Sequence, residues 1–410
     1  MLVNRELEHL ELIPEPNEPR ILTAVDPETL EDSDDEFRTL TTGWPTQRLA
    51  LLHVSNRRVR PSGLLLFLTM AIVAWILLQP IYTILDDVQT PDSEWAYQNA
   101  GIRQAQDLGL TGKGVKVCIV DTGVNLNHPD LKHLEGTLIF KDFVSDSIEP
   151  IDYAEDGHGT LIVGLLAANG LLKGAAPDVD VMVASALGSD EMGSDTAVSE
   201  SVLWCKSKKA DIISLSLGGA QDIEDPLDNL AVDAVNEALS VGIFVVAAAG
   251  NDGGLNDDGR VSVPANVQGV IAVGALNPDG TLWEKSSRGD NIAGNGENPR
   301  TSPHEKPEIT APGVNVISTW IDGKYSSSTG TSDSTVFVTG ALALLLESKP
   351  SLKPTWDNTD RSNCISIVKE ALMESAIPYQ AQAKPHDDRY GYGTLNAVGW
   401  IDSLNGTSEC

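Results

Sequence analysis

The pattern of hydrophobic and polar positions between residues 115 and 251 alternates between two kinds of segment. Continuous apolar runs, typical of strands, occupy residues 115–123, 179–187, 211–219 and 243–251. Amphipathic segments, typical of helices, lie between them at residues 159–169, 196–210 and 227–242. Apolar strands between amphipathic helices indicate an α/β fold with a mostly parallel sheet covered on both faces. In such a sheet the active crevice lies beyond the carboxyl ends of the strands, so chemistry is expected there.

A further helix is predicted within Ser328–Leu346, and it is apolar on nearly every side, as a fully buried helix would be. It begins with Gly330, Thr331, Ser332 and Asp333. One interpretation is a cap, because Ser and Asp side chains accept hydrogen bonds from free amides at a helix start. The other is that Ser332 is a nucleophile presented at a helix N-terminus.

A different pattern precedes these elements. Residues 63–85 form an uncharged run that is long enough to cross a bilayer. Residues 61–86 are therefore interpreted as a transmembrane anchor. Residues 1–60 form an acidic N-terminal tail, interpreted as mostly mobile, and residues 87–410 form the remaining domain. A buried core helix and a cleaved signal peptide are the alternatives, and the long leader disfavours the second.

Charges on either side of the apolar run predict its orientation. Arg57, Arg58 and Arg60 precede it, and Asp86 and Asp87 follow it. Positive residues favour the cytoplasmic side, so the N-terminus is expected in the cytoplasm and the large domain outside the cell membrane, as in a single-pass protein.

Composition changes this picture in two respects. The 28 Lys and Arg residues against 59 Asp and Glu give a net charge of −31, which disfavours nucleic acid as a partner. The four cysteines include no Cys-x-x-Cys pair, so a zinc site is not expected. Cys118 is interpreted as a small buried residue, and a Cys364–Cys410 disulfide is an option outside the cytoplasm.

Four polar residues are expected at the carboxyl edge of the sheet. Asp121 follows the first strand, His158 starts a helix between two glycines, Asn251 follows the fourth strand, and Ser332 starts the buried helix. A hydroxyl becomes a good nucleophile when an imidazole takes its proton, and a carboxylate fixes that imidazole. An Asn side chain and a helix-terminal amide suit the oxyanion. Taken singly, each residue has a structural explanation; together they predict acyl transfer.

Short motifs strengthen this prediction. The segments VCIVDTGV, DGHGT, SLSLGG, AAAGN, VPA, VIAVGA, ITAPG and GTS occur in the order found in subtilisin-like serine proteases, which the chain resembles over about residues 100–400. The resemblance implies a three-layer subtilisin-like fold and a serine endopeptidase acting on polypeptides through an acyl-enzyme. It assigns Asp121 to orient the imidazole, His158 as general base and acid, Ser332 as nucleophile and Asn251 as oxyanion donor.

The same resemblance implies where an extended substrate binds by strand addition. Its backbone is expected to pair with one segment and to lie along a second, and two residues are expected to wall the first specificity pocket. These groups are Ser216, Leu217 and Gly218; Met192 and Gly193; and Ala248 and Gly250.

The chain departs from the family pattern at several positions. Asp333 stands where Met is usual after the nucleophile, Val336 replaces a usual Pro, and Leu161 replaces a second His. No inhibitory propeptide is recognised between the anchor and the domain. The family needs no cofactor for its chemistry, but many members bind structural calcium. The acidic segment 251–259 suggests a site without EF-hand spacing, so its ligands stay unknown.

Three other functions were weighed against this one. An aspartic protease needs a second Asp-Thr/Ser-Gly, and an α/β-hydrolase needs Gly-x-Ser-x-Gly; the sequence has neither. A catalytically inactive scaffold or binding module of the same fold is the remaining alternative. The presence of the whole Asp-His-Ser set favours the enzyme.

Overall fold

The computed structural model describes residues 93–219, 230–255, 257–289, 299–356 and 361–406, and also Met70, Ile72 and Trp75. The chain divides into two units, Met1–Val88 and Gln89–Cys410, and the second is described below. The predicted tail lies outside the described residues, and so does the predicted anchor except for those three helical residues. Within the described part of the chain, no helix is both long and apolar enough to cross a membrane.

Helices and strands alternate through the second unit. The helices are α1 (Glu94–Asn99), α2 (Ile102–Asp107), α3 (His158–Ala167), α4 (Asp195–Ser207), α5 (Leu230–Ser240), α6 (Thr331–Ser348), α7 (Ser362–Ser375) and α8 (Ala397–Ser403). The strands are β1 (Lys116–Asp121), β2 (Ile139–Asp142), β3 (Asp180–Ser185), β4 (Ile212–Leu215), β5 (Phe244–Ala248), β6 (Ile271–Leu276), β7 (Ile309–Pro312), β8 (Val316–Thr319) and β9 (Tyr325–Ser328). The segments predicted as strands are therefore confirmed to contain strands, and those predicted as helices are confirmed to contain helices.

Seven strands form one sheet in the order β2-β3-β1-β4-β5-β6-β7, and every neighbouring pair is parallel. Strands β8 and β9 form a separate antiparallel pair. Because β1 lies between β3 and β4, the loops after β3, β1, β4 and β5 leave the sheet side by side. The expected parallel α/β sheet is confirmed, and its carboxyl edge gathers the residues singled out above.

Helices cover the sheet in two groups. α3 and α6 pack on each other, with α6 against β4 to β7. α4 and α5 pack on each other, with α4 against β1 and β3 and α5 against β5. Strands β4 and β5 are buried along their whole length, as expected when both faces of a sheet are covered. α6 is buried from Asp333 to Leu346, which confirms the prediction of a buried helix.

A disulfide joins the sheet to its helical cover. Cys118 of β1 and Cys205 of α4 are bonded, with their Cα atoms 5.8 Å apart and a sequence separation of 87. Cys118 is buried, as interpreted from the sequence. Its bond to Cys205 was not predicted, because sequence spacing does not show that α4 packs over β1. Cys364 is also disulfide-bonded. Since Cys410 lies outside the described residues, the Cys364–Cys410 pairing stays a prediction.

A buried ionic cluster ties α7 to the sheet near β7. The Oε1 atom of Glu308 accepts hydrogen bonds from Lys306 Nζ at 2.8 Å and Lys369 Nζ at 2.5 Å. Burial would raise the pKa of Glu308, but the two ammonium groups outweigh it and lower the pKa. The turn between α1 and α2 also meets the start of α8, because Ala397 N donates to Ala100 O at 2.9 Å.

Candidate active site

Asp121 and His158 form the centre of the candidate site. Asp121 is the last residue of β1 and is fully buried. Its Oδ1 atom lies 2.7 Å from Nδ1 of His158, the first residue of α3. Asp121 Oδ1 also accepts a hydrogen bond from Thr122 N at 2.7 Å. With Nδ1–H directed at Asp121, the imidazole keeps Nε2 for a second partner.

Glycines allow these two segments to approach each other. A Cβ atom on Gly159 would lie 2.1 Å from Gly123 O, so only glycine fits where α3 meets the turn after β1. Gly157 has φ of 68°, in the left-handed region that favours glycine, and it turns the chain into α3. These contacts explain why His158 stands between two glycines.

The charge of Asp121 acts on the protonation of His158. Burial alone would lower the pKa of His158, since it disfavours the imidazolium. The charge of Asp121 and its hydrogen bond outweigh burial, and Asp333 and Glu191 add smaller effects, so the pKa of His158 is raised above its ordinary value.

Ser332 is the second residue of α6, at the start of the helix. Its hydroxyl donates to Ser216 O at 3.1 Å, and the Ser216 hydroxyl donates to Ser332 O at 3.2 Å. Ser216 follows β4, so these two bonds fix α6 to the carboxyl edge of the sheet. Among the described residues the Ser332 hydroxyl has this one acceptor, and it is not hydrogen-bonded to His158.

Asn251 lies beside the start of α6 and is held by its carbonyl oxygen. Asn251 Oδ1 accepts hydrogen bonds from Thr331 N at 3.0 Å and Thr331 Oγ1 at 2.8 Å. Thr331 Oγ1 also accepts from Gly250 N at 3.2 Å. Because Oδ1 is fixed on Thr331, the Nδ2 donor is directed away from it, and a Cβ atom on Gly330 would lie 3.5 Å from Nδ2.

The segment predicted to pair with substrate leaves the sheet after β4. Ser216 is buried, Leu217 is partly buried and Gly218 is exposed. Gly219 forms an antiparallel bridge with Val263, with mutual N–H to carbonyl bonds of 3.0 and 2.9 Å. The bridge holds the far end of the segment in an extended conformation.

The other predicted substrate-binding residues lie on neighbouring loops. Met192 and Gly193 follow β3, and the Met192 side chain is 71% exposed. Ala248 ends β5, and Gly250 follows with φ of 116°. A Cβ atom on Gly250 would lie 2.4 Å from Ser262 Oγ, so a side chain does not fit at this wall. The sheet order thus brings all seven residues to the same edge.

Asp333, one residue after Ser332, is a buried carboxylate. Its Oδ2 accepts a hydrogen bond from Ser328 Oγ at 2.9 Å, and its buried Oδ1 has no hydrogen-bond partner among the described residues. Burial raises the pKa of Asp333 to about 7, although the Ser328 bond and the charge of His158 act in the opposite direction. Asp333 therefore changes charge near neutral pH.

The acidic segment 251–259 does not fit a metal site in its described part. The Asp252 carboxylate accepts a hydrogen bond from Ser287, and Asp257 Oδ1 accepts one from Gly259 N at 2.8 Å. Asp257 Oδ2 also lies 3.9 Å from Arg288. The described residues contain no group of three or more His, Cys, Asp or Glu side chains that could hold a metal ion.

The profile of the subtilase family matches residues 112–393, which include β1 to β9 and every residue of the candidate site. The chain belongs to the subtilase family. Serine protease AprX of Bacillus subtilis (strain 168) is 36% identical over 338 residues, covering 74% of this chain and 70% of that protein. Subtilisin Savinase of Lederbergia lenta is 32% identical over 307 residues, covering 74% and 96%. The Major intracellular serine protease of Bacillus subtilis (strain 168) is 35% identical over 244 residues, covering 58% and 70%.

This subtilase is a serine endopeptidase, and enzymes of its family need no cofactor for catalysis. Two of its departures from the usual pattern fall in the core. Leu161 is buried in α3 and Val336 in α6, and α6 runs without interruption from Thr331 to Ser348. Both substitutions place an apolar side chain where the fold buries it.

Several residues that shape the site were not predicted from the sequence. Thr331 holds Asn251, and Thr122, Asp152 and Thr160 join the segments that carry Asp121 and His158. The neighbouring motifs gave a partial signal for the three threonines. They gave none for Asp152, because Glu155 and Asp156 lie closer to His158 in sequence.

Proposed function

We propose that this subtilase hydrolyses polypeptides through a triad of Asp121, His158 and Ser332. The observation that carries the proposal is the 2.7 Å contact between His158 Nδ1 and buried Asp121, beside a serine at the start of α6. The contact fixes the tautomer of the imidazole and stabilises its cation, so that Nε2 serves as general base.

Catalysis begins when the Ser332 hydroxyl turns from Ser216 O to His158 Nε2. His158 takes the proton while Oγ attacks the scissile carbonyl carbon, and a tetrahedral intermediate forms. His158 then donates the proton to the leaving amine, which leaves an acyl-enzyme. A water molecule, deprotonated by His158, releases the acyl group and restores the Ser332 hydroxyl.

Asn251 is proposed to stabilise the oxyanion together with the Ser332 amide. Its Oδ1 is occupied by Thr331, so Nδ2 is fixed before substrate arrives. A donor fixed in advance does not need to reorganise when charge develops on the oxygen, and that is the source of its effect on the rate.

An extended substrate is proposed to add a strand to Ser216–Gly218 along one edge, with Met192 and Gly193 along its other edge. The Gly219–Val263 bridge supports this because it keeps the first segment extended. Ala248 and Gly250 form the wall of the first specificity pocket, where the absence of large side chains leaves room for the substrate residue.

The deciding experiment compares wild type with Ser332→Ala and tests the inactive-scaffold alternative directly. A fluorophosphonate probe should label wild type and not the variant, and peptide hydrolysis should fall at least about 1000-fold, since triad members act as a unit. Circular dichroism should show an unchanged fold. Hydrolysis by Ser332→Ala at near the wild-type rate, or a wild type that neither reacts with the probe nor cleaves peptides, rejects the proposal.

We further propose that residues 61–86 anchor the enzyme in the cell membrane, with residues 63–85 in the bilayer and the catalytic domain outside the cytoplasm. The support is the uncharged run behind three arginines. The Cys118–Cys205 disulfide adds to it, because disulfides persist in oxidising compartments. Family membership does not decide the compartment, since one relative is named an intracellular protease.

A further inference from the structure

Two threonines connect the segments that carry Asp121 and His158, and each accepts a hydrogen bond from the opposite segment. Thr122 Oγ1, after β1, accepts from Gly159 N of α3 at 2.9 Å. Thr160 Oγ1, in α3, accepts from Asn125 N after β1 at 2.9 Å. The two bonds form a reciprocal link between the turn after β1 and the first turn of α3.

Asp152 receives the protons of both hydroxyls. Its Oδ1 accepts from Thr122 Oγ1 at 2.7 Å, and its Oδ2 accepts from Thr160 Oγ1 at 2.6 Å. Two backbone amides also donate to it, Thr160 N at 2.7 Å and Ala154 N at 3.2 Å. A threonine hydroxyl has one proton to donate, so Asp152 fixes the orientation of both hydroxyls.

The Thr122 hydroxyl has a second acceptor within reach. Its oxygen lies 3.3 Å from Asp121 Oδ1, the same oxygen that lies 2.7 Å from His158 Nδ1. A hydroxyl released from Asp152 would turn towards this oxygen. It would then compete with His158 for Asp121 and reduce the ability of that carboxylate to stabilise the imidazolium.

We propose that Asp152 is a positioning residue for the reaction: it holds the Thr122 hydroxyl away from Asp121 Oδ1 and fixes the first turn of α3, so that His158 stays aligned with Asp121. The proposal rests on the triad assigned above. Asp152 itself touches neither substrate nor the reacting atoms; it acts through Thr122 and Thr160.

Asp152→Asn keeps the size of the side chain, but only one of its two terminal atoms can accept hydrogen bonds. The amide would face a backbone N–H on one side, either Ala154 N or Thr160 N, and lose that bond. We expect kcat to fall about 10- to 100-fold, as for a small displacement of a catalytic group, with KM within about twofold of wild type.

The same variant should shift the pH profile. Groups whose charges act on His158 are Asp121, Asp333 and Glu191, and all three are unchanged in Asp152→Asn. Competition from the Thr122 hydroxyl for Asp121 Oδ1 lowers the pKa of His158. The acid limb of kcat/KM should therefore move to lower pH, by on the order of half a unit.

Asp142→Asn is the matched control. The Asp142 carboxylate is fully buried and, like that of Asp152, accepts several hydrogen bonds, from Val144 N at 2.7 Å, Ser147 N at 2.7 Å and Tyr153 OH at 2.6 Å among others. None of its hydrogen bonds involves the reciprocal link. Its loss should lower the melting temperature but leave both kcat and the acid limb of kcat/KM unchanged.

Thr160→Val gives a second test that leaves Asp152 in place and decides the matter if Asp152→Asn does not fold. It keeps the side-chain shape and removes the bonds to Asp152 Oδ2 and Asn125 N, so kcat should fall several-fold at constant KM. Folded variants with wild-type kcat and an unmoved acid limb overturn the positioning role. If Ser332→Ala is inactive at the same time, the triad stands and only the role of Asp152 is rejected.

Discussion

Asn251 shows how one side chain divides its two functions between two atoms. Its carbonyl oxygen is bound by Thr331, and its amide is left for the proposed role at the oxyanion. Asn251→Ala should lower kcat by about 100- to 1000-fold with little change in KM, because the lost bond is strongest in the transition state. Steady-state kinetics with a peptide substrate measure the two constants. An effect confined to KM would refute the oxyanion role.

Asp333 is the residue that departs most from the family pattern at the site. Its negative charge favours the imidazolium of His158 and so raises the pKa of that histidine. In Asp333→Asn the pKa of His158 should fall, and the acid limb of kcat/KM should move to lower pH, by on the order of half a unit to one unit. Maximal activity should not decrease.

The measurement is a pH profile of kcat/KM for wild type and Asp333→Asn at low and high salt. An unmoved acid limb at low salt would show that the Asp333 charge is not coupled to His158. Loss of activity at every pH would assign Asp333 a positive role in catalysis or folding, against this prediction.

Asp333 should also make stability depend on pH. Folding raises its pKa from 3.8 to about 7, so the folded state binds the proton more tightly than the unfolded state. The stabilisation is complete below pH 3.8 and is lost as the pH rises to about 7. In an inactive Ser332→Ala background, Asp333→Asn should raise the melting temperature at pH 8, and the gain should disappear towards pH 4. An equal gain at both pH values contradicts this.

At the level of elements, the disulfide between β1 and α4 closes a long loop. Replacing Cys118 and Cys205 by Ala in the Ser332→Ala background should lower the free energy of unfolding by about 2–4 kcal/mol. Urea unfolding of the oxidised protein and the double variant gives this difference. In the active enzyme the same replacement should leave kcat at 25 °C near wild type, because neither cysteine belongs to the site. Equal urea midpoints would show that the bond does not stabilise the fold.

The sequence predicts some of the strands and some of the site residues, but not all of them. Continuous apolar runs identify β1, β3, β4 and β5 because both faces of these strands are buried. Strand β2 gave no such signal, since it has four residues and Ile139 is exposed at the edge of the sheet. Ordered motifs place Asp121, His158 and Ser332 together, but local sequence does not show which acidic residue turns inwards. Asp152 does so because α3 and the turn after β1 meet around it.

At the scale of the whole molecule, the catalytic domain is proposed to be tethered outside the cytoplasm. Protease added to intact cells or spheroplasts should digest the Ser332→Ala protein after Asp87 and leave the acidic tail protected. Detergent should expose both parts, which serves as the control for access. The Ser332→Ala background prevents self-cleavage from imitating digestion. Digestion of the tail in intact spheroplasts, or recovery of full-length protein in the soluble cytoplasmic fraction, would overturn the proposed topology.

The hydrogen bond from Ala397 N to Ala100 O has a consequence for biosynthesis. A ribosome makes residue 100 almost three hundred residues before residue 397, so this contact can form only when the chain is nearly finished. Ser332 likewise emerges long after Asp121 and His158. A growing chain therefore carries a carboxylate and an imidazole without a nucleophile for most of its synthesis. During that time the proposed triad is incomplete, so the chain cannot hydrolyse the machinery that makes it.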